Sequence, residues 1–141
     1  MPVPRQVAVE EDDELLFEAI VDPPFLVRGT AVVDAKCIAV TRAFYFNQPK
    51  LVFKFKVIKP AMYCGKKLEM FARNAPQWRG HPPVSSKLWK IAAVALRRLP
   101  EKHDRVTKSM FLNKVFQCKV SNSGKGVSAY SVVEMITGIE E

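Results

Sequence analysis

The chain has 141 residues, enough for one hydrophobic core but too few for two well-buried ones. Apolar residues make up 48% and charged residues 26% of it, an ordinary globular composition that excludes a wholly disordered chain. Its apolar runs are far shorter than the roughly 20 residues of a transmembrane helix, and no secretion signal is evident. Three widely spaced cysteines, an odd number, disfavour a disulfide framework. We therefore expect a cytoplasmic protein without membrane contact.

The charge is distributed very unevenly around the overall net value of +8. Seven of the 14 acidic residues precede position 23, where Arg5 is their only basic counterpart, so this segment has a net charge of −6. Residues 25–139 carry 21 Lys or Arg against five acidic residues, a net charge of +16. Such an excess is typical of a protein that binds a polyanion, although it could also serve solubility alone.

We divide the chain into an acidic, proline-containing leader at residues 1–24 and one folded domain at residues 25–141. We expect the leader to be extended and flexible, with one short amphipathic turn near residues 15–20. Three roles are open for it. It is a solvated tail, a segment that binds a protein partner, or a strand that lies across the basic surface and competes with nucleic acid.

Residues 31–46, preceded by a turn or bulge at residues 28–30, are rich in Val, Ile, Ala and aromatic residues and predict a long, kinked first strand. After a turn at residues 47–49, apolar residues alternate with lysines at period two over residues 51–58, the clearest strand pattern in the chain. Residues 68–72 predict a third strand, joined to the second by a short connection. The three strands are expected to form an antiparallel meander.

The second half of the chain predicts one helix and a hairpin. Residues 74–83 contain three prolines and are expected to form a loop without regular structure. Ser85 or Ser86 then caps a helix whose apolar residues recur at spacings of three and four as far as Leu99, with Pro100 stopping it. Residues 111–120 and 127–137 alternate again, on either side of a polar glycine loop at residues 121–126.

This element order predicts a mainly β protein, a five-stranded OB-fold-like barrel with one helix between strands 3 and 4. The barrel closes the sheet and removes its exposed edges, and the helix would plug one end. The same order also fits an open sheet covered by a helix, and the pattern alone does not separate the two.

Four short segments carry a family resemblance: residues 50–57, 63–68, 86–89 and 111–116. They follow the pattern of a charged strand, a Tyr-x-Gly-Lys turn, a Lys-Leu helix start and a Leu-x-Gly-Lys strand entry. Over about residues 28–137 the chain thus resembles the short OB-type single-stranded-DNA-binding proteins of phages and mobile elements. Asn113 replaces the usual glycine of the last motif, which asparagine tolerates where φ is positive.

Proteins that bind single strands without sequence preference combine a basic groove for phosphates with aromatic side chains for bases. We expect Tyr45 and Trp78 to stack on bases, and Phe44 and Phe46 either to stack or to face the core. Lys54 and Lys56 must point the same way in a strand, about 7 Å apart, although lysines on any solvated sheet face would do so too. The residues expected to contact phosphates are Lys50, Lys54, Lys56, Lys66, Lys67, Arg73, Arg79, Lys119 and Lys125.

Catalysis finds little support in the sequence. His81 and His103 lie in polar segments, and only His103 has an adjacent carboxylate, that of Asp104. There is no phosphate-binding glycine loop, no HExxH motif and no paired-cysteine spacing, so we expect no catalytic residues, no metal site and no cofactor.

The sequence therefore predicts nonspecific binding of single-stranded nucleic acid, DNA rather than RNA by resemblance only. The resemblance implies a role in replication, recombination or transfer of a mobile element. The alternative is a protein-binding adaptor or structural subunit that uses the acidic leader and a sheet edge, with its charge serving solubility.

Overall fold

A computed structural model describes residues 15–16, 31–124 and 129–140 of the chain. It contains β1 (Ala31–Tyr45), β2 (Gln48–Lys59), β3 (Lys67–Arg73), α1 (Lys87–Leu96), β4 (Val115–Ser123) and β5 (Tyr130–Ile139). Single 3₁₀ turns lie at Ala61–Tyr63, Pro76–Trp78 and Lys108–Met110. The leader other than residues 15–16, the turn at residues 28–30 and the end of the loop at residues 121–126 lie outside the described residues.

The five strands form one antiparallel sheet in the order β3-β2-β1-β4-β5. The predicted mainly β class is therefore confirmed, as is the position of the helix between the third and fourth strands. The outermost strands β3 and β5 approach each other to within 8 Å between Cα atoms. No backbone ladder joins them in the described part of the chain, so the sheet is not closed into a barrel.

The long first strand organises the sheet because it pairs on both of its edges. Its first part, Ala31 to Lys36, pairs with β4, whereas its pairing with β2 extends to Tyr45. Shifts in the β1–β2 register between Asp34 and Ala35 and between Cys37 and Ala39 confirm the predicted kink. Beyond this kink, β1 and β2 continue as a hairpin that ends in a two-residue turn.

The core fills one face of the sheet and is closed by α1. Phe53 and Phe55 of β2, Met70 of β3, Phe116 of β4 and Ile91 of α1 are completely buried there. Each such side chain contributes about 1.5–3 kcal/mol by leaving water. We call this the inner face of the sheet.

The helix begins as predicted and ends earlier than predicted. The Ser86 Oγ accepts a hydrogen bond from the Trp89 N–H at 3.1 Å, which identifies Ser86 as the N-cap. The helix ends at Leu96 because Arg97 adopts a left-handed conformation with φ 61°. Leu99, predicted to extend the apolar helix face, therefore lies beyond the helix and is exposed. Among the described residues no helix is long and apolar enough to span a membrane.

The predicted bounds of the last two strands were wrong by several residues. β4 starts at Val115 instead of 111, because Phe111 follows the Lys108–Met110 turn and packs into the core 5.0 Å from Phe53, measured between ring centroids. Asn113 then adopts φ 64°, and its N–H donates to the Cys37 carbonyl at 2.8 Å. The positive φ expected for an asparagine in place of glycine is thus observed.

Asn113 offers a direct test of this backbone strain, because its side chain is exposed. We expect Asn113→Val to destabilise the protein by about 1–2 kcal/mol, since a β-branched residue is poorly tolerated at positive φ. Asn113→Gly should stay within about 0.5 kcal/mol of the original protein. Urea unfolding measures both, and equal stability of the two variants would contradict the assigned conformation.

Candidate nucleic-acid interface

The face of the sheet opposite the core carries the charged residues. On β2 the inward side chains Phe53, Phe55 and Val57 are buried, so Lys54 and Lys56 between them must point away from the core. We call this side of β1, β2 and β3 the outer face. Residues paired across an antiparallel ladder share a face, so the register assigns the neighbours of these lysines.

Three lysines form one row across the outer face. Lys56 of β2 lies directly opposite Lys36 of β1 and Lys67 of β3. All three side chains are exposed. Directly opposed like charges in a sheet are destabilising, so this lysine row costs stability in the unbound protein.

A second pair of cations lies three rows away on the same face. Lys50 of β2 is directly opposite Arg73 of β3. Between this pair and the lysine row, Lys54 is opposite Glu69, with 4.0 Å between its Nζ and the Glu69 Oε2. This exposed pair contributes little to stability. The outer face of β2 therefore presents positive charge at intervals along its length.

Aromatic residues lie among these cations. The rings of Tyr45 on β1 and Phe71 on β3 meet edge to face, with 5.5 Å between their centroids. Phe71 pairs across the ladder with Val52, which is only 2% exposed although it lies on the outer face. Tyr45 itself remains 43% exposed. The predicted stacking residue thus has an accessible ring that a second aromatic residue supports.

Trp78 lies next to this region because its ring contacts the side chain of Arg73. The Arg73 guanidinium carbon lies 5.7 Å from the centre of the Trp78 ring, a cation–π distance. Trp78 is half-buried, less exposed than expected, because the predicted irregular loop contains the 3₁₀ turn Pro76–Trp78. Arg79 follows in a left-handed conformation and is exposed.

The remaining predicted residues are scattered. Lys66 is exposed beside Lys67, at the end of the lysine row. Lys119 lies within β4 instead of bordering the final loop, and its Nζ is 3.6 Å from the Glu134 Oε1. The structure thus pairs its charge with a carboxylate away from the aromatic residues. Lys125 lies outside the described residues.

Sequence reasoning missed two members of the outer face, Lys36 and Phe71. Phe71 could have been found, because it alternates with the buried Met70 and Ala72 of β3. Lys36 could not, because its place depends on the irregular register between β1 and β2.

The core alternative for Phe44 and Phe46 was wrong, since they are 66% and 94% exposed. The β1–β2 hairpin extends past the end of the core, and its turn places Phe46 and Asn47 at φ 51° and 59°. A bulky residue at positive φ is unfavourable, and here it holds an aromatic ring in solvent.

A cavity of about 680 Å³ lies on the other side of the sheet, between the inner face, α1 and the segment after the helix. That segment is braced by Arg98, which donates to both oxygens of Asp104 at 2.7 and 2.8 Å. The Glu101 N–H also donates to Asp104, at 2.6 Å. These hydrogen bonds, first that from Arg98, lower the pKa of Asp104 from 3.8 to about 2.

Other reactive groups do not converge in the described part of the chain. Within it, no group of three or more His, Cys, Asp or Glu is arranged to hold a metal ion. All three cysteines are free, and burial raises the pKa of Cys37 to about 11 and that of Cys118 to about 12. Both buried thiols are therefore protonated at neutral pH.

Comparison with models of known protein families gives no match to this chain. Comparison with curated protein sequences gives no significant match either.

Repulsion within the lysine row should lower the free energy of unfolding, and charge-reversal variants test this. Lys56→Glu places a carboxylate between Lys36 and Lys67, and we expect it to stabilise the unbound protein by about 0.2–1 kcal/mol. Lys54→Glu is the matched control, because it faces Glu69 and should destabilise by a similar amount. Chemical unfolding at low salt measures both, and a loss of stability in both variants would contradict repulsion within the row.

The lowered pKa of Asp104 predicts that its contribution to stability depends on pH. Its pKa is about 2 in the folded protein and 3.8 ordinarily, so its stabilising effect is complete above about pH 5 and is lost as pH falls towards 2. The difference in melting temperature between the original protein and Asp104→Asn should therefore be constant above about pH 5 and shrink below about pH 4. A difference that does not change with pH would contradict this assignment.

Proposed function

We propose that the protein binds single-stranded nucleic acid, DNA in the first instance, without sequence preference and through the outer face of β1–β3. The observation that carries this proposal is the coexistence of the lysine row and the Tyr45–Phe71 aromatic pair on one face. The lysine row costs stability in the isolated fold. Together the two features match the two components of a nucleic-acid strand.

In this proposal the lysine row binds the phosphates of the strand. Lys36, Lys56 and Lys67 repel one another in the free protein, and a phosphate placed among them replaces repulsion by attraction. Binding also releases the counterions that condense on the nucleic acid, which favours association at low salt. Contacts of this kind position the strand but do not read its sequence.

In this proposal the aromatic residues stack on the bases of the strand. The exposed ring of Tyr45 and the half-buried ring of Trp78 offer π-faces on which unstacked bases can lie. Stacking of this kind contributes about 1–3 kcal/mol per base and tolerates every base. In a duplex the bases already stack on each other, so these rings favour a single strand.

The sheet supports an OB-fold-like assignment for this function. Its order β3-β2-β1-β4-β5, with β3 and β5 approaching each other, is compatible with a five-stranded barrel left open between these two strands. OB-folds are five-stranded, partly open barrels that bind oligonucleotides on one strand face. A role in replication, recombination or transfer of a mobile element follows from the sequence resemblance and is part of the proposal.

Salt dependence tests the proposal. With about five phosphate contacts and a single-strand slope near −0.7 per contact, affinity for oligo-dT should fall roughly a hundredfold between about 50 and 200 mM salt. Quenching of Trp78 fluorescence measures it, with Trp78→Ala as the control for the reporter. A flat salt response, or equal affinity for a duplex of the same length, would contradict the proposal.

Matched variants locate the site in the same titration. Lys56→Gln removes the central cation of the lysine row and should weaken binding and reduce the salt slope by about 0.7. Lys90→Gln removes an exposed cation on α1 instead and should leave both unchanged. An equal effect of the two variants would assign the affinity to overall charge. Failure to bind any oligonucleotide would favour the protein-binding adaptor.

A further inference from the structure

The cavity behind the sheet has apolar walls. β1, β2, α1 and the turn before β4 each contribute to them. The apolar lining residues are Val40, Leu51, Phe53, Leu88, Ile91 and Phe111. Trp89, which is half-buried, also lines it and adds a large aromatic ring. A volume of about 680 Å³ is within the range of pockets that enclose small organic ligands.

Cations outnumber carboxylates around this apolar cavity. Arg42 lines it from β1, and Lys102 and Lys108 line it from the segment after the helix. The lining carboxylates Glu101 and Asp104 both lie within ion-pair distance of Arg98. No hydrogen bond or ion pair engages the side chain of Arg42 within residues 31–124 and 129–140. The cavity thus combines an apolar interior with cations that lack an anionic partner.

The backbone that carries these cations is also held in place before any ligand binds. The two hydrogen bonds from Arg98 to Asp104, and that from the Glu101 N–H, fix the segment that carries Lys102. On the opposite side, Arg42 extends from a strand paired to β2 through Leu51. The backbone around the cavity therefore does not have to become ordered when a ligand binds.

We propose that this cavity is a nucleotide-binding site, separate from the outer face. The base would lie in the apolar interior beside Trp89, and the phosphate would bind Arg42, with Lys102 and Lys108 adding to the positive field. An inorganic anion would leave the apolar walls unused, and an uncharged aromatic molecule would leave Arg42 unpaired. A nucleotide satisfies both parts of the site.

The nucleotide has two sources, a free mononucleotide or one nucleotide of a bound strand. The second source rests on the proposed function. Arg42 and Tyr45 lie on the same strand but on opposite faces, and the exposed Phe44 and Phe46 lie around the hairpin end between them. A strand that crosses the end of this hairpin would pass from the outer face to the cavity.

Trp89 provides the readout. The chain has two tryptophans, so in the Trp78→Phe background fluorescence reports only on Trp89, at the cavity wall. Titration with dTMP should give a saturable change, whereas inorganic phosphate and thymidine should each bind at least about tenfold more weakly. Arg42→Gln should weaken dTMP binding by about tenfold or more, and the matched control Lys90→Gln should have no effect.

Absence of a saturable response to dTMP, or an equal response in Arg42→Gln, would overturn the nucleotide site. Competition identifies the source: oligo-dT that displaces dTMP supports a strand nucleotide in the cavity, and oligo-dT that binds without displacing dTMP supports a free mononucleotide. Sensitivity of oligo-dT affinity to Lys56→Gln reports separately on the outer face. The nucleotide site and the proposed function can therefore fail independently.

Discussion

Burial of Phe53, Phe55 and Val57 on one side of β2 is the constraint from which the candidate site follows. Side chains in a strand alternate, so burying these residues forces Lys54 and Lys56 onto the other side. β2 pairs with β1 and β3, which bring Lys36 and Lys67 to Lys56. The hydrophobic core therefore dictates a concentration of like charge that the fold itself does not need.

The turn of the β1–β2 hairpin lies beyond the core and is a second place where the fold tolerates an unfavourable feature. Two-residue hairpin turns with positive φ at both positions strongly favour Asn-Gly or Gly-Gly sequences. This turn has Phe46 at the first position, with φ 51° and 94% exposure. The protein thus tolerates both backbone strain and an apolar ring in water at a place where glycine would relieve both. This combination of strain and exposure supports the hypothesis that Phe46 contacts the bound strand.

The sequence predicts the local features of the fold better than the long-range ones. The alternation of β2 and the Ser86 cap depend on neighbouring residues, and the structure confirms both. The place of Lys36 depends on two register shifts, and a slip of one residue would turn its side chain to the other face.

The exposure of Phe44 likewise depends on where the core ends, which no local pattern encodes. The helix end depends on the left-handed conformation of Arg97, a residue that does not usually signal one. The basic and aromatic composition of the site was therefore predictable, but its exact membership was not.

Photo-crosslinking maps the surface that contacts the nucleic acid without a substitution, and it therefore shows whether a single strand binds the outer face. Oligonucleotides that carry 5-bromodeoxyuridine are irradiated with the protein, and mass spectrometry identifies the modified residues. Adducts are expected at Tyr45, Phe71 or Trp78, and excess unlabelled single strand present during irradiation should prevent them, whereas duplex of equal length should not. Adducts confined to β4 and β5, or equal prevention by duplex, would contradict single-strand binding on the outer face.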